Sequence, residues 1–220
     1  MQHGYTNETY RQGLRVGKRY QGPDAEGRAA AELLALTRLV GRIPVPAVID
    51  AGELTLTTAF VPGEHGQDLI ESGPAEETLA ACGRLLRDLH MLDPGILEPG
   101  PHPAGAVIRH GDFGPNNVLM GPEGFEPVAL LDWEFSGIGT PIDDLAWCEW
   151  IVRMHHPAAI PALRAFWEAY GSCPEWAERQ AAMLNRCAEL EDFCRRWSSP
   201  DAVTMWQKRI VVTRGWTPGH

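Results

Sequence analysis

Hydrophobic and polar positions divide this chain into two differently patterned parts. Up to about residue 60 the runs are short: "TNETYRQGLRVGKRY" alternates about the turn signal Gln12-Gly13 and predicts a hairpin, and "RIPVPAVID" and "ELTLTTAFV" predict strands separated by Ala51-Gly52. Between them, "GPDAEGRAAAELLALTRLV" is rich in Ala and Leu and predicts a helix with Asp24 at its N-cap. Pro62-Gly63 breaks the pattern. From about residue 67 the period lengthens, with Leu79, Cys82, Leu85, Leu86 and Leu89 recurring at helical spacing. "PIDDLAWCEWIVRMHH", "PAAIPALRAFWEAYG", "PEWAERQAAMLNRCAELEDFCRRW" and "DAVTMWQKRIVVTR" read as further helices. All eight tryptophans lie in this second half, where they serve helix packing. The pattern predicts an α+β chain: a small lobe with an antiparallel sheet and one helix over 1–61, then a larger, mainly helical lobe over 62–220.

One segment fits neither pattern. "VIRHGDFGPNNVLM", residues 107–120, places His, Asp and two Asn in apolar surroundings, where each needs a hydrogen-bond partner if buried. The apolar runs "VLM" and "VALLDWEF" follow, joined by the turn-like "GPEGFEP". Pairing them as an antiparallel hairpin with Met120 opposite Ala129 sets Asn117 opposite Asp132 and brings an amide oxygen and a carboxylate to one end. Such oxygen ligands suit Mg²⁺, which completes its shell with waters and substrate phosphates. Asp112, on the turn entering the first strand, reaches the same locality and can accept a proton from an attacking hydroxyl.

Composition narrows the partners. The chain has 220 residues, 44% hydrophobic and 22% charged, as folded chains do, and its formal charge of −10 leaves no basic footprint for nucleic acid. No run approaches the ~20 apolar residues that cross a bilayer, and the amino terminus has no cationic start followed by an apolar run, so a cytoplasmic chain without membrane contact is expected. Five cysteines without a CxxC pair argue against a disulfide framework or a zinc site. "GLRVGKRY" lacks both the spacing and the hydroxyl of a P-loop.

His110-Gly111-Asp112, four variable residues and Asn117, followed by "LLDWEFSGIGTPIDDLAW", resemble the aminoglycoside phosphotransferase and choline kinase-like family. The resemblance implies a protein kinase-like two-lobe fold and transfer of the γ-phosphoryl group of ATP or GTP to a hydroxyl of an aminoglycoside-like or other small polar acceptor. By position, it implies Asp112 as catalytic base, His110 beside it as a loop-ordering residue, Asn117 and Asp132 as Mg²⁺ ligands, and Asp144 as a structural aspartate. It implies Lys18 on the nucleotide phosphates with Glu32 as its ion-pair partner, and Gly4 and Asn7 in the loop covering the nucleotide. Thr58, Ala59 and Phe60, in "TTAFVPG", would offer backbone groups to the adenine edge. The alternative is a catalytically silent nucleotide-binding or regulatory module. A two-metal phosphoesterase would need more histidine ligands than this neighbourhood offers. Glu189, Glu191 and Asp192 are either amine contacts or a solvated helix face.

Overall fold

The computed structural model describes residues 7–122, 124–197 and 199–218. Its first part is a four-stranded antiparallel sheet with the order β1-β2-β4-β3. β1 (Asn7–Gln12) and β2 (Arg15–Tyr20) form the expected hairpin, and Gly13 supplies the left-handed turn residue at φ +60°. β4 (Thr55–Ala59) lies between β2 and β3 (Val48–Ala51). The helix α1 (Ala25–Leu39) buries Ala35, Leu36 and Leu39 in the same core as Tyr20 and Leu56. Asp24 precedes α1 but does not cap it with its side chain. Its own backbone is left-handed (φ 54°), and its carboxylate instead pairs with Arg196 at 2.6 Å.

The second part is helical: α2 (Gly66–Ser72), α3 (Ala75–His90), α4 (Pro141–His155), α5 (Leu163–Tyr170), α6 (Trp176–Arg196) and α7 (Pro200–Arg214). Leu79, Cys82, Leu85, Leu86 and Leu89 are all buried on one face of α3, as their spacing predicts. Trp147 and Trp150 stack at 4.4 Å between ring centroids and meet Trp206 of α7, forming a second apolar cluster with Met183 and Cys187. All five cysteines are free. No helix among the described residues is long and apolar enough to cross a membrane.

Short strands tie the two patterned regions to the polar segment. β6 (Val107–Arg109) pairs with β9 (Gly137–Gly139), and β7 (Val118–Met120) lies between β5 (Glu64–His65) and β8 (Pro127–Leu130). At two or three residues, β5, β6 and β9 are too short for alternation to reveal them. The β7–β8 register differs from expectation by one residue: Val118 faces Leu130 and Leu119 faces Ala129, with an irregularity before Met120. Asn117 therefore faces Leu131, whose N–H it accepts at 2.8 Å, and Asp132 lies one position further on. A slipped strand would turn Asp132 to the opposite face, but its backbone leaves the strand at φ +64° and re-aims the side chain.

Candidate active site

The polar segment is held from beneath by Asp144, in the first turn of α4. Thr140 and Pro141 start that helix, and the Asp143 carboxylate accepts the Thr140 N–H at 2.9 Å in a capping-box contact. The next carboxylate faces the loop: Asp144 Oδ2 accepts the His110 N–H and Oδ1 the Gly111 N–H, both at 2.8 Å. His90 Nε2 adds a third contact at 3.1 Å. Burial works against the charged form of Asp144, but the His90 contact and the two loop amides hold its pKa below the usual carboxylate value. Gly111 is required here. It sits at φ +83°, and a β-carbon on it would collide with the carbonyl oxygen of Phe135.

His110 is fully buried, which lowers its pKa and keeps the ring neutral. Nε2 donates to the Leu131 carbonyl at 2.9 Å, and Nδ1 accepts the Asp112 N–H at 3.2 Å. Both ring nitrogens are thus committed to the backbone. His110 thereby joins the loop to the strand end at Leu131.

Asp112 emerges from this support half-buried. Trp147 Nε1 donates to Oδ1 at 2.7 Å and Asn117 Nδ2 to Oδ2 at 3.0 Å. Burial, then the charge of Asp132, raises the Asp112 pKa to about 6, against the opposing effects of Trp147, Arg186 and Asn117. Asn117 also donates to the Asp112 carbonyl at 2.8 Å, so its amide nitrogen is used twice by the loop and Oδ1 remains for another ligand.

A second group converges from the sheet. Lys18 Nζ, on β2, donates to Glu32 Oε2 of α1 at 2.6 Å and to Asp132 Oδ1, with Glu134 at 3.6 Å. Burial alone would lower the Lys18 pKa, but Asp132, Glu32 and Glu134 outweigh it and raise it well above the ordinary lysine value. Glu32, which also accepts the Tyr20 hydroxyl at 2.7 Å, is shifted upward by burial despite Lys18. For Asp132 the balance is reversed. Its side chain keeps 35% exposure, and the Lys18 contact overcomes burial to lower its pKa.

The remaining expectations divide. Gly4 lies outside the described residues. Asn7 is no lid residue in this structure: at the start of β1, it donates to Glu134 Oε2 at 2.6 Å and accepts from Gln21 N and Arg28 Nη1 at 3.3 Å. Thr58 pairs on both sides within the sheet. The amides of Ala59 and Phe60 are taken by the carbonyls of Ala47 and Leu14 at 2.8 and 2.9 Å. Neither amide is therefore available to a base edge, which narrows the expected backbone contacts at Ala59 and Phe60 to their carbonyls.

Three participants are not among the site residues expected from the sequence. Trp147 reads as a packing tryptophan, although it lies three residues after Asp144 and so shares its helix face. Arg28, four residues before Glu32 on α1, pairs with Glu134 at 2.7 Å with both side chains buried. Glu134 itself stands two residues after Asp132. Its oxygens, with those of Glu32 and Asp132, lie within 4.8 Å of one another. Lys18 and Arg28 already compensate this cluster, so a divalent ion is better served by the free oxygen of Asn117 and the partly exposed carboxylate of Asp132.

A sheet-and-helix lobe bearing a lysine–glutamate pair, set against a helical lobe bearing a His-Gly-Asp loop and an aspartate at a strand end, defines a protein kinase-like fold. The chain belongs to the phosphotransferase enzyme family, whose model matches residues 1–106 and 97–182. The fold is shared with the GDP and kanamycin complex of the aminoglycoside phosphotransferase APH(2")-IIIa (TM-score 0.74, 11% identity, covering 97% of this chain and 91% of that one). It is also shared with a choline/ethanolamine kinase family protein from Mesorhizobium loti (TM-score 0.65, 17% identity, 97% and 87%) and with a macrolide 2'-phosphotransferase from Brachybacterium faecium (TM-score 0.64, 16% identity, 94% and 93%). Among curated proteins, acyl-CoA dehydrogenase family member 10 of Mus musculus is 36% identical over 66 residues, covering 30% of this chain and 6% of the relative. Acyl-CoA dehydrogenase family member 11 of Homo sapiens is 28% identical over 91 residues, covering 41% and 11%. The matched stretch thus spans about a tenth or less of these much longer relatives.

Proposed function

We propose that the protein is a cytoplasmic small-molecule kinase that transfers the γ-phosphoryl group of ATP or GTP to an alcohol. The observation that carries this reading is the convergence of Lys18, Glu32 and Asp132 with the Asp112–Asn117 loop, because phosphoryl transfer asks for positioned charge and a proton acceptor rather than covalent chemistry. In this reading Lys18 leaves Asp132 for the nucleotide phosphates while Glu32 and Tyr20 keep it oriented. The base meets the Phe60 carbonyl and the Val61 N–H, which follow the two occupied amides. Asp112 orients the acceptor hydroxyl and takes its proton, the hydroxyl oxygen bonds to the γ-phosphorus, and the bond to the β-phosphate oxygen breaks to release the diphosphate. Asn117 Oδ1 and Asp132 form a hard oxygen donor set that fits Mg²⁺. When bound, the ion would neutralise charge developing on the phosphates.

The test is acceptor-dependent release of ADP or GDP in the presence of magnesium, across hydroxylated amines, sugars and acids, with Asp112→Asn alongside. Release that falls about 10²–10⁴-fold in the variant while nucleotide binding persists is the expected result. Magnesium-dependent nucleotide binding with no release for any acceptor would favour a silent binding module.

A further inference from the structure

A cavity of about 590 Å³ opens beside the catalytic loop, lined by Arg109, Gly111, Thr140, Ile142, Tyr170 and Arg186 among others. Two of its lining residues are arginines with unspent donors, which are covered in this structure and would turn to reach a ligand in the cavity. Arg109 Nε, and Nε and Nη2 of Arg186, are inaccessible to solvent and have no hydrogen-bond partner among the described residues. Arg186 is otherwise well held. Its side chain is 16% exposed and its guanidinium lies 4.8 Å from the Phe135 ring centroid and 5.8 Å from that of Trp147, leaving only Nη1 engaged, at 3.0 Å from Glu189.

Buried N–H groups left unmet are costly, more so when charged, so a native chain keeps them where something else meets them. A planar fork with two adjacent free donors fits the paired oxygens of a carboxylate or phosphate. The carboxylates of the cavity are less available. Asp143 accepts the Thr140 N–H, Glu189 is paired with Arg186, and the charge of the exposed Glu178 is screened by solvent. A cationic acceptor would confront two arginines and satisfy neither. The position matters as much as the charge, because Trp147, which Arg186 lies against, donates to Asp112, and the cavity wall residue Gly111 immediately precedes it.

We propose that the phosphoryl acceptor is an anionic hydroxy compound whose carboxylate or phosphate head is gripped by Arg186 and Arg109 while its hydroxyl is presented to Asp112. This rests on the kinase reading above. The transfer itself is unchanged: the acceptor's C–O–H becomes C–O–phosphate, the proton passes to Asp112, and the nucleoside diphosphate departs.

The test pairs each acceptor with a neutralised copy. Hydroxycarboxylates of graded length are run against their methyl esters, sugar phosphates against the free sugars, and amino alcohols and aminoglycosides as the cationic arm, with diphosphate release measured under magnesium and ATP or GTP. Release is expected with an anionic acceptor and not with its neutral copy, and which anionic arm responds separates carboxylate from phosphate. In Arg186→Gln the acceptor KM rises about ten-fold or more. Arg186→Lys, which keeps the charge but not the fork, gives an intermediate rise, and Tm and nucleotide affinity report the fold of each variant. A second readout needs no turnover: in protein labelled at arginine, the Nε–H resonances of Arg186 and Arg109, assigned with Arg186→Gln and Arg109→Gln, shift on titration with the same anions. Release with neutral or cationic acceptors alone, or arginine resonances unmoved by every anion, overturns the proposal and leaves the kinase reading standing. Loss of magnesium-dependent nucleotide binding in the native protein would instead remove the kinase reading and the acceptor assignment with it.

Discussion

Trp147 donates its indole N–H to Oδ1 of Asp112 at 2.7 Å, fixing the carboxylate on one side while Asn117 holds the other oxygen. The contact favours the charged form of a carboxyl that burial pushes up to about 6. A base works only as the carboxylate, so kcat/KM should fall as pH drops through about 6 and level off above it. Trp147→Phe keeps a ring against Trp150 but removes the donor. The acid limb of its profile should move to higher pH, with activity recovering in alkaline buffer. A limb that does not move would show that Trp147 has no part in setting the protonation of Asp112.

Among the described residues, Lys18 is the one cation that pairs with both Glu32 and Asp132. Lys18→Met leaves the buried Glu32 with only the Tyr20 hydroxyl, at a cost of about 3 kcal/mol, while the partly exposed Asp132 is screened by solvent and adds little. Without Lys18, burial dominates at Glu32 and raises its pKa further, so the folded form disfavours the charge that the unfolded chain carries freely. The loss should therefore grow as pH rises, and denaturant unfolding at pH 5 and pH 8 checks it.

Asp144 should behave in the opposite sense. Its pKa is lowered on folding, so its contribution is present above the unfolded carboxylate pKa and is lost as pH falls through the folded one. Asp144→Asn turns an NH₂ group toward donors that the carboxylate had accepted, at a cost of about 3 kcal/mol. Because the loop carries Asp112, kcat should fall more than nucleotide affinity. Thermal unfolding and steady-state kinetics together separate the two effects.

Asp132 occupies a left-handed backbone position that Asn tolerates and Ala does not. Asp132→Asn should fold normally and lose magnesium-dependent nucleotide binding, while Asp132→Ala should lose the same binding and about 1 kcal/mol of stability besides. Calorimetric titration of nucleotide with and without magnesium gives the first effect, and chemical denaturation the second.

The two-lobe organisation was legible because it rests on long, periodic features: the α3 stripe from Leu79 to Leu89 and the β1–β2 alternation are local, and local pattern predicts them. The His-Gly-Asp loop was legible as a motif, since His, Gly, Asp and Asn have little other reason to stand together in an apolar segment. What escaped was three-dimensional. The one-residue offset between β7 and β8 depends on an irregularity before Met120 and a left-handed Asp132, and neither leaves a trace in the alternation of apolar residues. Asp24 reads as a cap from its residue type, but a partner 172 residues away claims its carboxylate. Arg186 is an ordinary helix-face arginine in sequence. The rings of Phe135 and Trp147, brought from distant parts of the chain, leave it half-buried.

α1 carries its two charged anchors one turn apart, and they face different halves of the molecule: Glu32 holds Lys18 of the sheet, and Arg28 holds Glu134 beyond the β7–β8 hairpin. Asn7 makes its own bond to Glu134, and Lys18 makes one to Asp132. To widen the cleft, the helix has to part company with one side or the other, and if it follows the sheet, the contacts to Glu134 and Asp132 must let go together. A pull on the cleft therefore breaks these contacts as a set, in the manner of a latch, and under the proposed kinase function the entry of a nucleotide would exchange that set of partners for another.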